Sequence, residues 1–404
     1  MSDEKSAKEA STEGVLLGLA LAYFGAYQLF KLPVVLPVLL EEYKFDRTLA
    51  GGFMSVYAVA GLVLSVWIGK RVEHRGPYGA VIAALGLMVL ANLLTLSDPS
   101  NGALVLGCRG LEGASFAVLA ISGPVLANKF AGPKVLPLII GLTAMWIPTG
   151  QLSATLIATS SVDHYGWPVL WYTGIVGSML LALWCYRFSR LSAARKAAAR
   201  DHTLVTASLS ATQRRALLLS SVIFLLWSGQ YFAYMTWLPQ YLIEVHDTGL
   251  SGALFSYLIP VVALMVFNIV TGLALRAGCP VGKLLIGALL GQLLVWCLLP
   301  WTTSTTTGLV SLVVYGIGAG IAPTCLFAMP NTVLGPAADK ARAFGTIMTG
   351  RNMGVLLGPI VLAQLFELMN GWHLAAPVFS VWTGLALVLG LALTRELARI
   401  RTPA

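Results

Sequence analysis

Four charged side chains lie inside long apolar segments of this sequence, namely Lys31, Arg109, Glu112 and Arg351. Lys31 is the one charged residue of the segment YFGAYQLFKLPVVLP at 23–37. A charge at the centre of a lipid bilayer costs about 2.5–3.5 kcal/mol on insertion scales, so such a side chain usually faces a polar cavity or a partner. Three positive charges against one negative charge would attract an anion.

The positions of these residues predict which of them meet. Glu112 follows Arg109 at i+3, so the two side chains share nearly one face of a helix. At about 1.5 Å per residue, Lys31 and Arg109 fall in the same half of the membrane. We interpret Lys31 as a point charge for a carboxylate, beside Tyr27 and Gln28. Glu112 is the candidate proton carrier.

Each charged residue also has a second interpretation. Lys31 could extend its amine along the lipid. Arg109 and Glu112 could form a purely structural pair, and Arg351 could bind backbone carbonyls or lipid headgroups. Among the aromatic residues, Tyr231 and Tyr315 are candidates for shaping a binding pocket, although such residues more often pack or line the membrane interface.

The composition excludes a soluble globular protein. The chain has 404 residues, of which 57% are hydrophobic and 11% charged, whereas soluble domains carry about 25% charged residues. Apolar segments near the length that spans a bilayer recur throughout, and helices satisfy their backbone groups in lipid. We predict an all-α integral membrane protein with twelve spans, at about 14–40, 49–69, 79–97, 103–127, 135–159, 167–186, 215–241, 250–275, 282–300, 308–334, 343–367 and 374–394.

The basic residues predict the orientation. Of the 26 Lys and Arg residues, 21 fall in segments on one side of the membrane and 2 on the other. The positive-inside rule places the basic side, with both termini, in the cytoplasm, and we expect a location in the plasma (inner) membrane. This distribution accounts for the net charge of +9 without nucleic acid.

The longest connection divides the spans into two sets of six. Weak repeats support this division: KLP at 31–33 matches WLP at 237–239, and RGLEGAS at 109 matches YGIGAGI at 315. Parallel repeats of this kind occur in secondary transporters. The predicted parts are a cytoplasmic tail over 1–13, a six-helix bundle over 14–186, a basic cytoplasmic linker over 187–214, a second bundle over 215–394 and a cytoplasmic tail over 395–404.

The chain resembles the major facilitator superfamily over essentially residues 14–394. GKRVEHRGPYG resembles the family's loop signature after span 2, with matches at Gly69, Glu73 and Gly76, although His74 replaces the usual Arg or Lys. RGLEG resembles its span 4 motif through Arg109 and Glu112, and WLPQYL resembles a common end of span 7. The resemblance implies two six-helix bundles and a gating role for the loop. Its monocarboxylate and cyanate-type branches similarly carry a basic residue on span 1.

These observations predict a secondary transporter of a small anionic solute, with proton symport through Glu112. The expected partners are that solute and the lipid bilayer, with no nucleic acid, and we expect a monomer. The sequence shows no P-loop, metal cluster or catalytic triad, so we expect neither a cofactor nor an enzyme. The alternatives are drug or cation efflux by the same fold, and a membrane receptor or scaffold that transports nothing.

Overall fold

The computed structural model consists of helices and turns over the residues that it describes, with no strand among them. The described residues are 11–75, 77–132, 135, 139, 141–143, 145–193, 209–299, 306–335, 341–369 and 371–401.

The described residues form twelve long helices in two compact units. Along the chain, unit 1 ends at Arg200 and unit 2 begins at Asp201. The helices of unit 1 are α1 (Thr12–Tyr43), α2 (Arg47–Arg75), α3 (Tyr78–Ser97), α4 (Gly102–Phe130), α5 (Trp146–Tyr165) and α6 (Pro168–Ala193). The helices of unit 2 are α7 (Ala211–His246), α8 (Leu250–Arg276), α9 (Val281–Leu298), α10 (Thr306–Leu334), α11 (Ala341–Met369) and α12 (Ala375–Arg401).

Ten of the described helices are long and apolar enough to cross a membrane, and α2 and α5 are the two that do not meet this criterion. Exposed leucine, valine and methionine side chains are numerous on several of these helices, including α6 and α8. Such an apolar outer surface suits contact with lipid and would be unusual in water. The prediction of an all-α membrane protein with two six-helix bundles is confirmed.

The first helix of each unit begins with a side-chain cap. Ser11 accepts a hydrogen bond from the Gly14 N–H at 3.3 Å and so satisfies one free donor at the start of α1. Ser210 and Gln213 form a reciprocal capping box at the start of α7. Serine in these positions explains why both helices begin where they do.

The two units also repeat a contact at the opposite end of their first helix. The Trp167 indole N–H donates to Glu42 at 3.2 Å, which ties the end of α1 to the start of α6. The Trp372 indole N–H donates to Glu244 at 2.8 Å, which ties the end of α7 to the start of α12. The two glutamates lie 202 residues apart. The contacts therefore support the predicted internal repeat.

Glycine permits close packing of neighbouring helices within each unit. A Cβ added at Gly113 of α4 would overlap the backbone of Tyr57 in α2. A Cβ added at Gly354 of α11 would overlap the carbonyl oxygen of Leu225 in α7. The helix backbones thus approach each other more closely than any larger residue would allow.

Several helices extend beyond the predicted spans, and α6 continues seven residues past 186, to Ala193, into the segment predicted as a linker. α2 continues six residues past 69, through part of the predicted loop signature, to Arg75. α5 begins at Trp146, and the part of the predicted span upstream of it lies partly outside the described residues, of which 139 and 141–143 are helical. Pro148 lies in the first turn of α5, where a proline's missing N–H removes no helical hydrogen bond. α12 continues to Arg401, so helical structure extends into the segment predicted as a C-terminal tail.

Candidate functional site

Lys31 lies at the centre of a fully buried polar cluster in unit 1. Its ammonium group donates to Glu112 at 2.8 Å, to Gln28 at 2.7 Å and to Asn92. It also lies 4.5 Å from the centre of the Trp171 ring, a cation–π contact. An ammonium group has three donors, so the protein itself occupies all three. The side chain is 0% exposed, and the interpretation that it extends along lipid is therefore wrong.

Arg109 joins the same cluster from α4. Its Nη1 donates to the Glu112 carboxylate at 2.5 Å and to the Gln28 carbonyl at 3.0 Å. Its Nη2 donates to the Leu29 carbonyl at 3.1 Å, and its Nε donates to the Phe53 carbonyl at 3.2 Å. Arg109 therefore links α4 to the backbones of both α1 and α2.

A proline in α1 explains one of these bonds. Pro33 has no N–H, so the carbonyl of Leu29 lacks the donor that a helix normally supplies from four residues ahead. Arg109 donates to this free carbonyl. On its other side the guanidinium lies 4.4 Å from the centre of the Tyr57 ring. The Leu29 carbonyl thus supplies Arg109 with a hydrogen-bond acceptor, and the Tyr57 ring supplies it with an aromatic face.

Two amide side chains fix the acceptors of Lys31. The Gln28 amide nitrogen donates to the Gly174 carbonyl at 3.2 Å, and the Asn92 amide nitrogen donates to the Met88 carbonyl at 2.6 Å. Each amide therefore turns its oxygen toward Lys31. Residue 174 must be small here, because an added Cβ would lie 2.7 Å from the Gln28 amide nitrogen.

Tyr27 lies beside this cluster but binds elsewhere. Its hydroxyl donates to the Leu170 carbonyl at 2.7 Å and so holds α1 against α6. The predicted neighbours Tyr27 and Gln28 are both buried, and Gln28 alone of the two contacts Lys31.

The cluster carries a formal charge of +1. Lys31 and Arg109 are positive, Glu112 is negative, and all three side chains are 0% exposed. Removing charges from water costs several kcal/mol per ion, and close pairing with additional hydrogen bonds offsets that cost. The shared carboxylate and the fixed amide oxygens provide both in this structure.

Unit 2 contains a buried network of neutral side chains. Gln230 donates to Gln292 at 3.0 Å, and the Tyr315 hydroxyl donates to the Gln230 oxygen at 3.4 Å. The Tyr315 ring packs against Tyr234, with centres 4.5 Å apart, and against Trp296 at 5.4 Å. This network offers hydrogen bonds and aromatic surface.

The networks of the two units occupy matching positions. Gln28 and Gln230 lie 202 residues apart, the same separation as the two tryptophan-bound glutamates. Arg109 and Tyr315 lie 206 apart. Arg109 donates to the backbone carbonyl of Gln28, and Tyr315 donates to the side-chain oxygen of Gln230. The repeated framework therefore holds a charged cluster in unit 1 and a neutral one in unit 2.

This register differs from the predicted one. The match of KLP at 31–33 with WLP at 237–239 implied a separation of 206 in the first helices. The contacts instead align Lys31 with Ala233. A three-residue match within apolar segments carries little information, whereas hydrogen-bond partners fix the register.

Arg351 and Tyr231 lie in unit 2. The Arg351 guanidinium donates to Asn352 at 3.0 Å and lies 5.5 Å from the centre of the Phe232 ring. At 6% exposure, Arg351 does not extend to lipid headgroups. Tyr231 stacks on Trp227, with ring centres 5.0 Å apart. The predicted residues therefore divide between the units, with three of the four charges in unit 1.

The sequence of residues 15–338 matches the Major Facilitator Superfamily. The match covers most of the chain. This chain belongs to the Major Facilitator Superfamily. It is accordingly a multi-pass membrane transporter of that superfamily type. No curated protein matches the sequence.

Two solved structures of transporters share the fold. A mutant of the nucleoside transporter NupG is 14% identical, with a TM-score of 0.71 over 95% of this chain and 99% of that one. A bacterial homologue of the human lysosomal transporter Spinster, inward-facing and unoccupied, is 13% identical, with a TM-score of 0.76 over 98% of this chain and 100% of that one. At these identities the likeness concerns the fold alone.

Most of the loop signature, from Gly69 to Arg75, is described only in its backbone. Gly69 and Glu73 lie in the helical part of α2. The side chains of 64–75, and residue Gly76 as a whole, lie outside the described residues.

Sequence reasoning missed three members of the cluster, which are Asn92, Tyr57 and Trp171. Asn92 is an uncharged polar residue within the apolar segment LMVLANLLTL, so a search for polar as well as charged residues would have identified it. Tyr57 and Trp171 contact the cations through their rings. Their role depends on the packing of helices, and no feature of the sequence distinguishes them from other aromatic residues.

Proposed function

We propose that this transporter moves a small anionic solute, with a carboxylate as its charged group, by alternating access and in symport with protons. The buried cluster of Lys31, Arg109 and Glu112 is the observation that supports this proposal. A net positive charge away from water interacts strongly with an incoming ion, because the effective dielectric constant is low. Such a cluster favours anions over cations.

Glu112 is the proposed proton carrier. Its two carboxylate oxygens bind two different cations, one each. A proton on Glu112 would raise the charge of the cluster from +1 to +2 and so strengthen its attraction for an anion. Coupling between proton and anion then follows from electrostatics.

Further roles complete the proposal. The chain acts as a monomer in the plasma membrane with both termini in the cytoplasm. The further substrate contacts are Tyr27, Gln28, Tyr231, Tyr315 and Arg351, and the gating residues are Gly69, Glu73 and Gly76.

The rival functions make different demands on the cluster. Drug or cation efflux would favour an excess of buried acids, whereas two bases surround one acid in the described core of unit 1. A receptor or scaffold needs no transported ligand at all. These alternatives are separated by measuring transport.

The test is uptake of labelled small carboxylates into proteoliposomes that contain the purified protein. We expect accumulation of an anion when the side of addition is made acidic, and collapse of that accumulation when a protonophore is added. Lys31→Met should abolish uptake, because Glu112 and a solute would then share only Arg109. Lys129→Met is the matched control, since Lys129 is exposed on α4.

Full uptake by Lys31→Met would contradict the assignment of the cluster as the anion site. Uptake of organic cations with no uptake of anions would favour efflux instead. An absence of any solute movement across a broad panel would favour the receptor.

A further inference from the structure

We propose that the Glu112 carboxylate occupies the place that the solute's carboxylate takes, so that Glu112 is a built-in counter-anion which the solute must replace. This inference rests on the proposed function and adds a mechanism of competition to it. An entering carboxylate can take only the place of an acceptor that is able to leave Lys31 and Arg109.

Most acceptors in the cluster cannot leave. Arg109 donates to the backbone carbonyls of Gln28, Leu29 and Phe53, which belong to helices. The Gln28 and Asn92 side chains are each held by a further bond from their amide nitrogen to a backbone carbonyl. These acceptors are part of the framework.

Glu112 differs from them in two respects. Among the described acceptors of Lys31 and Arg109, it alone carries charge, and it alone binds both cations. Its Oε1 lies 2.8 Å from Lys31 Nζ and its Oε2 lies 2.5 Å from Arg109 Nη1. A carboxylate of a solute has the same two oxygens and could reproduce the same bridge.

The donors of the cluster are fully used while Glu112 remains in place. Lys31 has three donors and three acceptors. Arg109 has five donors, and four oxygen acceptors and the Met54 sulfur surround them. An entering carboxylate therefore finds no free donor until Glu112 withdraws.

Protonation is the step that releases Glu112. A neutral carboxyl group accepts weakly and no longer balances the cations, so one proton taken from the medium accompanies one bound carboxylate. The cluster keeps its charge of +1 through this exchange. The titratable groups that face Glu112 are Lys31 and Tyr27 on α1, Tyr57 on α2, and Cys108 and Arg109 on α4. Asn92 on α3 and Trp171 on α6, which contact Lys31, are neutral.

The experiment is chemical rescue of Glu112→Ala by acetate in the purified full chain. Thermal unfolding is measured at constant ionic strength with increasing acetate, and acetamide serves as the neutral analogue of the same shape. We expect Glu112→Ala to unfold at a lower temperature than the parent and to recover with acetate in a saturable manner. Acetamide should have no such effect, and Lys31→Met combined with Glu112→Ala should lose the rescue.

The acetate titration also measures the affinity of each protein for acetate. Acetate should bind Glu112→Ala at least about tenfold more tightly than the parent at neutral pH, because no internal carboxylate competes. If Glu112→Ala fails to fold, Glu112→Gln and the parent provide the comparison. The parent should then gain affinity for acetate by about tenfold for each unit of falling pH, as one linked proton requires, and Glu112→Gln should show no such dependence.

The outcomes separate this inference from the proposed function. Equal rescue by acetamide, or acetate binding no tighter in Glu112→Ala than in the parent, would overturn the counter-anion. Anion transport by the parent together with such a result would leave the proposed function standing. Rescue by acetate in a protein that transports no anion would support the counter-anion and overturn the proposed function.

Discussion

At the scale of single residues, the charge of the buried cluster is adjustable in single steps. Asn92 has nearly the shape of aspartate and already contacts Lys31 through its side-chain oxygen. Glu112 has nearly the shape of glutamine. The two positions therefore allow the formal charge to be lowered or raised by one with little change in packing.

We predict that anion affinity follows this charge. Asn92→Asp brings the cluster from +1 to 0, and Glu112→Gln brings it to +2. Affinity for a small carboxylate should rise in the order Asn92→Asp, parent, Glu112→Gln, with steps of about tenfold or more, since hydrogen bonds to charged groups contribute about 1.5–3 kcal/mol. Isothermal titration of the purified protein measures each value.

The control for this series is Asn101→Asp. Asn101 is exposed and caps α4, a position that aspartate also suits. It adds the same charge to the same unit and should leave the affinity unchanged. Equal affinities along the series would show that the cluster is structural.

The pairing of these residues was predictable only in part. The spacing of Arg109 and Glu112 predicted one shared helix face, and their ion pair confirms it. The contact of Lys31 with Gln28, three residues away on α1, was also expected. Its bonds to Asn92 and Glu112 could not be predicted, because these residues come from α3 and α4. Their meeting depends on helix packing, which local sequence does not encode.

At the scale of helices, the contact between α11 and α7 depends on the small size of three glycines. Cβ atoms added at Gly350, Gly354 or Gly358 would overlap backbone atoms of α7. Gly345 lies on the same helix, and no described atom lies within 4 Å of the corresponding position. α11 therefore contains both the tightly packed glycines and Gly345, which serves as the control.

We predict that Gly354→Ala lowers the stability of the protein by about 1–3 kcal/mol, because the added methyl group forces α11 away from α7. Gly345→Ala should be neutral or stabilise by up to about 1 kcal/mol, since alanine favours helix more than glycine does. Unfolding of the purified proteins in detergent measures both. A Gly354→Ala protein as stable as the parent would mean that α7 and α11 can separate without cost.

The sequence predicted well how many helices the chain forms, and it predicted less well where each helix begins and ends. The twelve predicted spans each overlap one of the twelve helices. The end of α2 was missed because the signature KRVEH, interpreted as a loop, contains residues that favour helix.

At the scale of the whole molecule, one native cysteine can report the orientation of the chain. Cys279 is exposed and lies between α8 and α9. The distribution of basic residues predicts that this connection lies on the cytoplasmic side, together with both termini. Cys297 is also exposed, close to the opposite end of α9.

We predict that a membrane-impermeant maleimide labels Cys279 in inside-out vesicles and leaves it unlabelled in right-side-out vesicles. The measurement is made in a Cys297→Ser background, which removes the other exposed thiol, and Cys279→Ser in that background gives the blank. Labelling of Cys279 from the outside alone would reverse the predicted orientation.

The internal repeat was predicted as a division of the chain but not as a register of contacts. Short matches suggested it, while the two tryptophan-bound glutamates, and Gln28 and Gln230 at the same separation, define it. Apolar segments resemble one another at many offsets, so sequence similarity between the halves is weak. Buried polar contacts are few and specific, and they identify the equivalent positions.

The contact between Lys31 and Trp171 gives the protein an optical reporter of its own. The ammonium group lies 4.5 Å from the centre of the indole ring, and the emission of an indole responds to the electric field of a nearby charge. A change in the occupancy of the cluster should therefore alter the fluorescence of one tryptophan among eleven. The difference spectrum between the parent and Trp171→Phe isolates that signal, so ligands can be screened in solution without a label.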